Sequence, residues 1–249
     1  MLRDVPAGGY RFMPGISAFS CGVVATAGWE IVHATLAAPV PWREGFARID
    51  RHLSEAGRPR AALCGIELRS PAPFSFGGFD DFNQGYRSLL AEWKILVGDE
   101  NPIPRTNVAP VSGAPLVPSL FAFSYTVAGT TAAPTFVVAG AGELRERAQG
   151  PEGIVRAGET TPDAVREKAR FVMTTMQERL RTLGGTWDRV TAIDIYTAHP
   201  IHELVQYEIL PVAGPAAIRG VHWYPSRPPI QGLEYEMDLS GVQRKLVLY

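Results

Sequence analysis

A chain of 249 residues, 46% hydrophobic and 20% charged, has the make-up of one large globular domain or two small ones. Its 24 basic and 25 acidic side chains leave a net charge of -1, which argues against the basic surface that nucleic-acid binding draws on. Two cysteines, Cys21 and Cys64, cannot make a disulfide framework, and no apolar run reaches the roughly 18 residues that span a bilayer. Met1-Leu2-Arg3-Asp4-Val5-Pro6 lacks the charged-then-apolar order of a signal peptide, so a cytoplasmic protein with reduced thiols is expected.

Residues 16–24 and 29–38 are rich in β-branched, aromatic and small apolar side chains. With Ala27-Gly28 between them, they predict a hairpin. From Trp42 to Ala56, Phe46, Ile49, Leu53 and Ala56 recur at spacings of three and four, which predicts an amphipathic helix stopped at Gly57. Residues 61–68 read as a buried strand. Asp80 is the expected cap of a second helix reaching about Leu96, with Phe82, Tyr86, Leu89, Leu90 and Trp93 on one face. After the rigid turn Asn101-Pro102-Ile103-Pro104, strands are expected over 106–111 and 120–127. The small, polar stretch 128–134 is the expected boundary between units 1–130 and 131–249.

The second unit begins with a strand over 135–141 and a charged loop over 143–158. Thr161-Pro162-Asp163 starts a long helix, with proline where its missing N–H costs little. Val165, Ala169, Val172, Met173, Met176, Leu180 and Leu183 mark its buried face, and Gly184-Gly185 ends it. Strand 190–197, a short helix over 200–209, and strands over 220–224, 233–238 and 245–249 complete the reading. Placing Leu53 on Leu180 aligns Gly57 with Gly184, Leu63 with Val190, Ile66 with Ile193 and Glu67 with Asp194. A helix, a glycine stop and a strand with a central acid therefore recur. The plan is α+β, a mixed sheet with helices on one face in each of two tandem repeats.

Several of these segments carry a family resemblance. They are Phe136-Val137-Val138-Ala139-Gly140-Ala141, the helix ending in Leu183-Gly184-Gly185, Asp188-Arg189-Val190-Thr191 with Asp194-Ile195-Tyr196, and the turn Pro104-Arg105-Thr106-Asn107-Val108. On these the chain resembles the RidA/YjgF family, as two fused copies covering most of its length. Ala139-Gly140-Ala141 departs from that family's Ser-Gly-Gln. The resemblance implies a chorismate-mutase-like fold and a homo-oligomer, a trimer first, with clefts between subunits. It also implies an arginine that binds a substrate carboxylate and a late-strand glutamate that positions the attacking water. Carried onto this chain, the arginine is Arg105 in the first repeat and Arg219 in the second. The glutamate is Glu234, with Glu236 as the fallback, and the first repeat has no acid there.

The side chains themselves leave alternatives open. A guanidinium fork fits a carboxylate, and Asn107 could share the ligand of Arg105; a surface arginine in a proline-rich turn is the plain alternative. Arg227 lies in a rigid loop that could wall a cleft or bind. Strand alternation puts Glu234 and Glu236 on one face with Tyr235 opposite. There the carboxylates either raise one another's pKa or simply meet solvent. His222 and Tyr224 share a strand face, so His222 is a candidate proton carrier and Tyr224 a candidate substrate contact, against a structural role for both. His199 and His202 have no carboxylate or cysteine at a ligand spacing, so no metal site is expected. The reading is a cofactor-independent deaminase that hydrolyses an imine or enamine of a small carboxylated substrate, such as an aminomuconate-type ring-cleavage product. A chorismate-type lyase on the same fold and a non-enzymatic ligand-binding protein are the alternatives. The second repeat keeps the acid and the first the better-matched arginine, so a composite cleft joining Arg105 to Glu234 or Glu236 is expected.

Overall fold

The computed structural model describes every residue except 132, 146, 147 and 149. Position 132 of the expected boundary stretch, and 146, 147 and 149 of the expected charged loop, thus lie outside the described residues. In chain order the elements are β1 (Arg3–Val5), β2 (Tyr10–Met13), β3 (Gly22–Ala25), β4 (Trp29–Pro41), α1 (Trp42–Glu55), β5 (Leu63–Arg69), α2 (Phe76–Glu92), β6 (Arg105–Pro110) and β7 (Ser119–Ala128). They continue with β8 (Phe136–Gly142), α3 (Pro162–Thr182), β9 (Ala192–Thr197), β10 (His222–Tyr224), β11 (Ser226–Arg227), β12 (Tyr235–Ser240) and β13 (Arg244–Leu248). Among the described residues no helix is long and apolar enough to cross a membrane.

The strands form two mixed sheets. One runs β1-β2-β3-β8-β12-β9-β10 and the other β11-β6-β5-β7-β4-β13. Within them a four-strand order recurs. β4 is antiparallel to β7, β7 antiparallel to β5 and β5 parallel to β6; β8, β12, β9 and β10 repeat those relations in that order. Strands also cross between the halves of the chain: β3 pairs with β8, and the C-terminal β13 runs parallel to β4.

The expected hairpin over 16–38 does not form. β3 joins β2 and β8, whereas β4 pairs with β7 and β13 in the other sheet. The turn passes through Gly28 at φ +82, a left-handed conformation that glycine adopts without strain. Composition identified two strands there but carries no information on which sheet each completes. The edge hairpin β1–β2 leaves little pattern in the sequence because its strands are only three and four residues long.

Helix patterning is obeyed closely. In α1, Phe46, Ile49 and Leu53 are buried against a core that includes Tyr86 and Leu90 of α2. In α3, Val165, Ala169, Val172, Met173, Met176 and Leu180 are buried against Phe136, Ile195, Tyr235 and Met237. Each fully buried large apolar side chain contributes about 1.5–3 kcal/mol. Thr161 caps α3 by accepting from the Ala164 N–H. The cap of α2 is Ser75, accepting from Gly78 N, rather than Asp80. A serine inside the loop 70–78 thus starts the helix a turn earlier than the apolar pattern suggested. The expected helix at 200–209 is irregular: α-helical turns His202–Leu204 and Leu210–Ala213 flank a π-helical turn, Val205–Ile209.

The sheets carry α1 and α2 on one side and α3 on the other, and they meet through their remaining faces. At one end this meeting layer is apolar, with Phe12, Val23, Ile31 and Cys64 packed together. At the other it is polar, and there Thr106 of β6 reaches Asp238 of β12.

Candidate active site

Arg105 enters β6 from a turn that is held by its neighbours. Asn101 Nδ2 donates to Ala18 O at 2.6 Å, and Asn101 Oδ1 accepts from Ile103 N at 2.9 Å. Ser20 Oγ donates to Pro102 O at 2.9 Å, and Ser20 N donates to Ile103 O at 3.1 Å. The prolines cannot donate, so the turn is anchored through its carbonyls. Arg105 itself is 3% exposed. Its guanidinium carbon lies 4.7 Å from the ring centre of Tyr86, 4.9 Å from Phe19, and 5.5 Å from each of Phe79 and Phe82. Nη2 donates to Asn83 Oδ1 at 2.6 Å, while Nη1 has no hydrogen-bond partner among the described residues. Burial pulls this arginine down to about 10, opposed by the nearby Tyr86 and Glu236. It remains a cation at neutral pH, with one donor face uncommitted inside an aromatic cage.

Glu236 approaches from the second sheet, near enough for the charges of Arg105 and Glu236 to act on one another. Along β12 the side chains alternate: Tyr235, Met237 and Leu239 enter the core beneath α3, and Glu236 and Asp238 take the other face. Glu236 is buried, and burial together with the charge of Glu143 pushes it up to about 8, against the opposing pull of Arg105, Arg179 and Arg69. Its carboxylate fills the space beside Gly140 of β8, where Thr106 Cα also lies, 3.2 Å from the point a Cβ on residue 140 would occupy. The glutamate therefore stands next to the residue that follows Arg105.

Beyond it the polar seam continues. Thr106 Oγ1 donates to Asp238 Oδ2 at 2.6 Å and accepts from Gly140 N at 3.1 Å; Tyr196 OH donates to the same Asp238 oxygen at 3.1 Å. Burial and the neighbouring Asp194 and Glu67 raise Asp238 well above the usual carboxylate range. A cavity of about 40 Å³ lies here, with Glu67, Arg105, Thr106, Asp194 and Asp238 on its walls. Its volume has room for ordered water.

The remaining sequence candidates are distributed around this centre. Asn107 is buried, its Oδ1 accepting from Ser70 Oγ at 2.8 Å and its Nδ2 without a partner among the described residues. Glu234 precedes β12; its Oε2 lies 2.9 Å from His199 Nε2 and 3.4 Å from Arg227 Nη1, so Arg227 and Glu234 form a partly exposed rim pair. Tyr224 stacks on Tyr196 with ring centres 5.2 Å apart. His222 is exposed on β10, separated from β12 by β9, with Nδ1 2.6 Å from Asp194 Oδ1 in a hydrogen bond that raises its pKa. Arg219 is exposed and donates to Asp188 O at 3.4 Å. Strand register explains why it does not mirror Arg105. Glu67 pairs with Thr106 and Asp194 pairs with His222, so the counterpart of Thr106 is His222 and that of Arg105 is Val221.

Sequence reading missed three contributors. Asn83 and Tyr86 lie within the predicted second helix, Tyr86 on its apolar face, but their approach to Arg105 depends on how α2 lies over β6. Gly140 had been visible only as a departure from Ser-Gly-Gln, although its missing side chain is what admits Glu236.

Comparison with known proteins places the chain in a family. The chain is 43% identical over 244 residues to the 2-amino-5-chloromuconate deaminase of Comamonas testosteroni, an alignment covering 97% of this chain and 96% of that protein. In fold it is similar to a chorismatase crystal structure, with a TM-score of 0.52 and 12% identity, over 88% of this chain and 77% of the other. Residues 2–246 match the model of one family, and the chain belongs to that family, 2-aminomuconate deaminase CnbZ.

Proposed function

We propose that the protein deaminates a 2-amino-muconate-type substrate by hydrolysis, with Arg105 holding a carboxylate of the substrate and Glu236 moving the protons. The observation that carries this reading is a caged arginine with an uncommitted donor face within charge range of a buried glutamic acid whose pKa is pushed up to about 8. The 43% identity to a 2-amino-5-chloromuconate deaminase supports the choice of substrate class.

The chemistry follows from those two groups. A 2-aminodienoate is an enamine, nucleophilic at carbon. Protonated Glu236 donates its proton to the carbon chain, which leaves an iminium at C2. The resulting carboxylate takes a proton from water as the water oxygen bonds to C2. The carbinolamine then passes its hydroxyl proton to nitrogen, the C–N bond breaks, and ammonia leaves a 2-oxo acid. The sum is enamine plus water giving 2-oxo acid plus ammonia. A group with a pKa near the working pH can serve both as acid and as base in such a cycle. Burial of Arg105 strengthens its hold on a carboxylate by excluding competing water.

We further propose that the chain is a duplicated Rid-like unit, 1–130 and 131–249, with the β1–β3 segment and β13 exchanged between the halves. The repeated order β4-β7-β5-β6 and β8-β12-β9-β10 supports it. On this reading a single composite site joins Arg105 of the first unit to Glu236 of the second, within one chain. Ammonia release from 2-aminomuconate tests the activity, with chorismate turnover assayed beside it. Release abolished by Glu236→Gln, with substrate binding lost in Arg105→Met, is expected. Turnover of chorismate alone would overturn the assignment.

A further inference from the structure

Glu143 and Lys168 form a buried ion pair directly behind Glu236. Both side chains are 0% exposed, and Lys168 Nζ lies 3.2 Å from Glu143 Oε1. The glutamate does more than neutralise the lysine. Its Oε1 also accepts from Glu234 N at 2.7 Å, and its Oε2 accepts from Tyr235 N at 3.1 Å. These are the two backbone N–H groups immediately before Glu236. The β12–β8 ladder begins only at Glu236, opposite Gly142, and position 143 is where β8 has ended. On the side facing β8, a side-chain carboxylate thus does for residues 234 and 235 what a strand partner would otherwise do; Tyr235 is paired with Thr197 of β9 on the other. Lys168, fixed in the packed face of α3 between Val165 and Val172, sets the position of that carboxylate.

We propose that the Glu143–Lys168 pair is the positioning device of Glu236: it fixes the backbone at the start of β12 and presents a negative charge to the Glu236 carboxyl group. Glu143 is accordingly a positioning residue, not one that meets substrate. Among the described residues, Arg105 from β6, Arg179 from α3 and Arg69 from β5 bear on Glu236 as cations, and Asp238 shares its face of β12. Glu143 is the carboxylate that bears most strongly against those cations. The proposal rests on Glu236 being the proton carrier only for its effect on turnover; its effect on Glu236 itself is independent of any reaction.

The test is the ionisation midpoint of Glu236, followed by infrared difference spectroscopy of its carboxyl band in the substrate-free protein. Glu236→Gln identifies the band. Two variants are compared with the native protein. Glu143→Gln keeps a hydrogen-bond acceptor and removes the charge. Glu143→Gln with Lys168→Met also removes the buried cation, so that a folded protein is available if the single variant is too unstable. In Glu143→Gln the midpoint should move to lower pH by about one unit or more, because a nearby negative charge has been withdrawn; in the double variant, which loses the more distant cation as well, it should move the same way by less. The high-pH limb of kcat/KM should move with it, while KM for the carboxylated substrate changes little. An unmoved midpoint in folded variants would overturn the proposal. If the protein released no ammonia from any aminomuconate, the functional assignment would fail while the midpoint shift still judged this inference.

Discussion

Glu236 occupies the space that a side chain on Gly140 would need. A Cβ at position 140 would also lie 3.0 Å from Thr106 Oγ1 and 3.2 Å from Thr106 Cα, so backbone closes the site on one side and the glutamate on the other. In Gly140→Ala the backbone of Thr106 cannot yield, and the carboxylate of Glu236 moves instead. A displacement of about 1 Å at the reacting group costs on the order of a hundredfold in rate. The expected outcome is a kcat lower by about that factor, with binding of a muconate analogue to Arg105 retained, checked by steady-state kinetics beside calorimetric titration.

Arg105→Lys should not be a conservative change. The aromatic walls and Asn83 suit a planar guanidinium, and an ammonium offers a point charge in place of a two-donor fork. Analogue affinity should fall about ten- to a hundredfold, which corresponds to about 1.4–2.8 kcal/mol. Isothermal titration checks it, and an unchanged dissociation constant would remove Arg105 from the binding role.

Asn83→Ala leaves Arg105 Nη2 buried without its acceptor. The guanidinium then loses the contact that fixes its rotation within the cage. A hydrogen bond to a charged group contributes about 1.5–3 kcal/mol, so a rise in KM of about tenfold or more is expected, with kcat much less affected. Equal losses in both constants would indicate general disruption of α2 instead.

Glu236 also leaves a mark on stability. Its native pKa of about 8 stands above the ordinary 4.5. Below about pH 4.5 native and unfolded chains both carry the proton. Between there and pH 8 only the native chain keeps it, so this contribution to stability is lost as pH rises through that window. The slope from one proton is at most about 1.4 kcal/mol per pH unit. Urea unfolding at pH 5, 6.5 and 8 should show a steeper decline for the native protein than for Glu236→Gln, in which nothing titrates at that position.

Much of this molecule was legible in its residues, and the illegible parts share a cause. The apolar faces of α1 and α3 read directly, since Phe46, Ile49 and Leu53, or Val172, Met176 and Leu180, recur at helical spacing. Arg105 stood out because prolines precede it. Alternation separated Tyr235 from its acidic neighbours, but it could not distinguish Glu234, bonded to His199 at the rim, from Glu236 in the interior. That choice depends on where β12 pairs with β8, and pairing is a tertiary fact. The same holds for β3 and β4, whose composition is right for strands and whose pairings with β8 and β7 join residues as far apart as Gly22 and Val138, and Trp29 and Ala128. Asn83, Tyr86, Gly140 and the Glu143–Lys168 pair acquire their meaning only from elements brought together by the two sheets.

In the proposed reaction one protonatable carboxylate acts on a substrate held by one arginine. Ammonia released from 2-aminomuconate by the native protein and by Glu236→Gln tests it most directly, provided that analogue binding is confirmed in both. Native turnover yielding one ammonia for each 2-oxo acid, reduced at least about a hundredfold in the variant, is the predicted result. Undiminished release by Glu236→Gln, or none by the native protein, would contradict it.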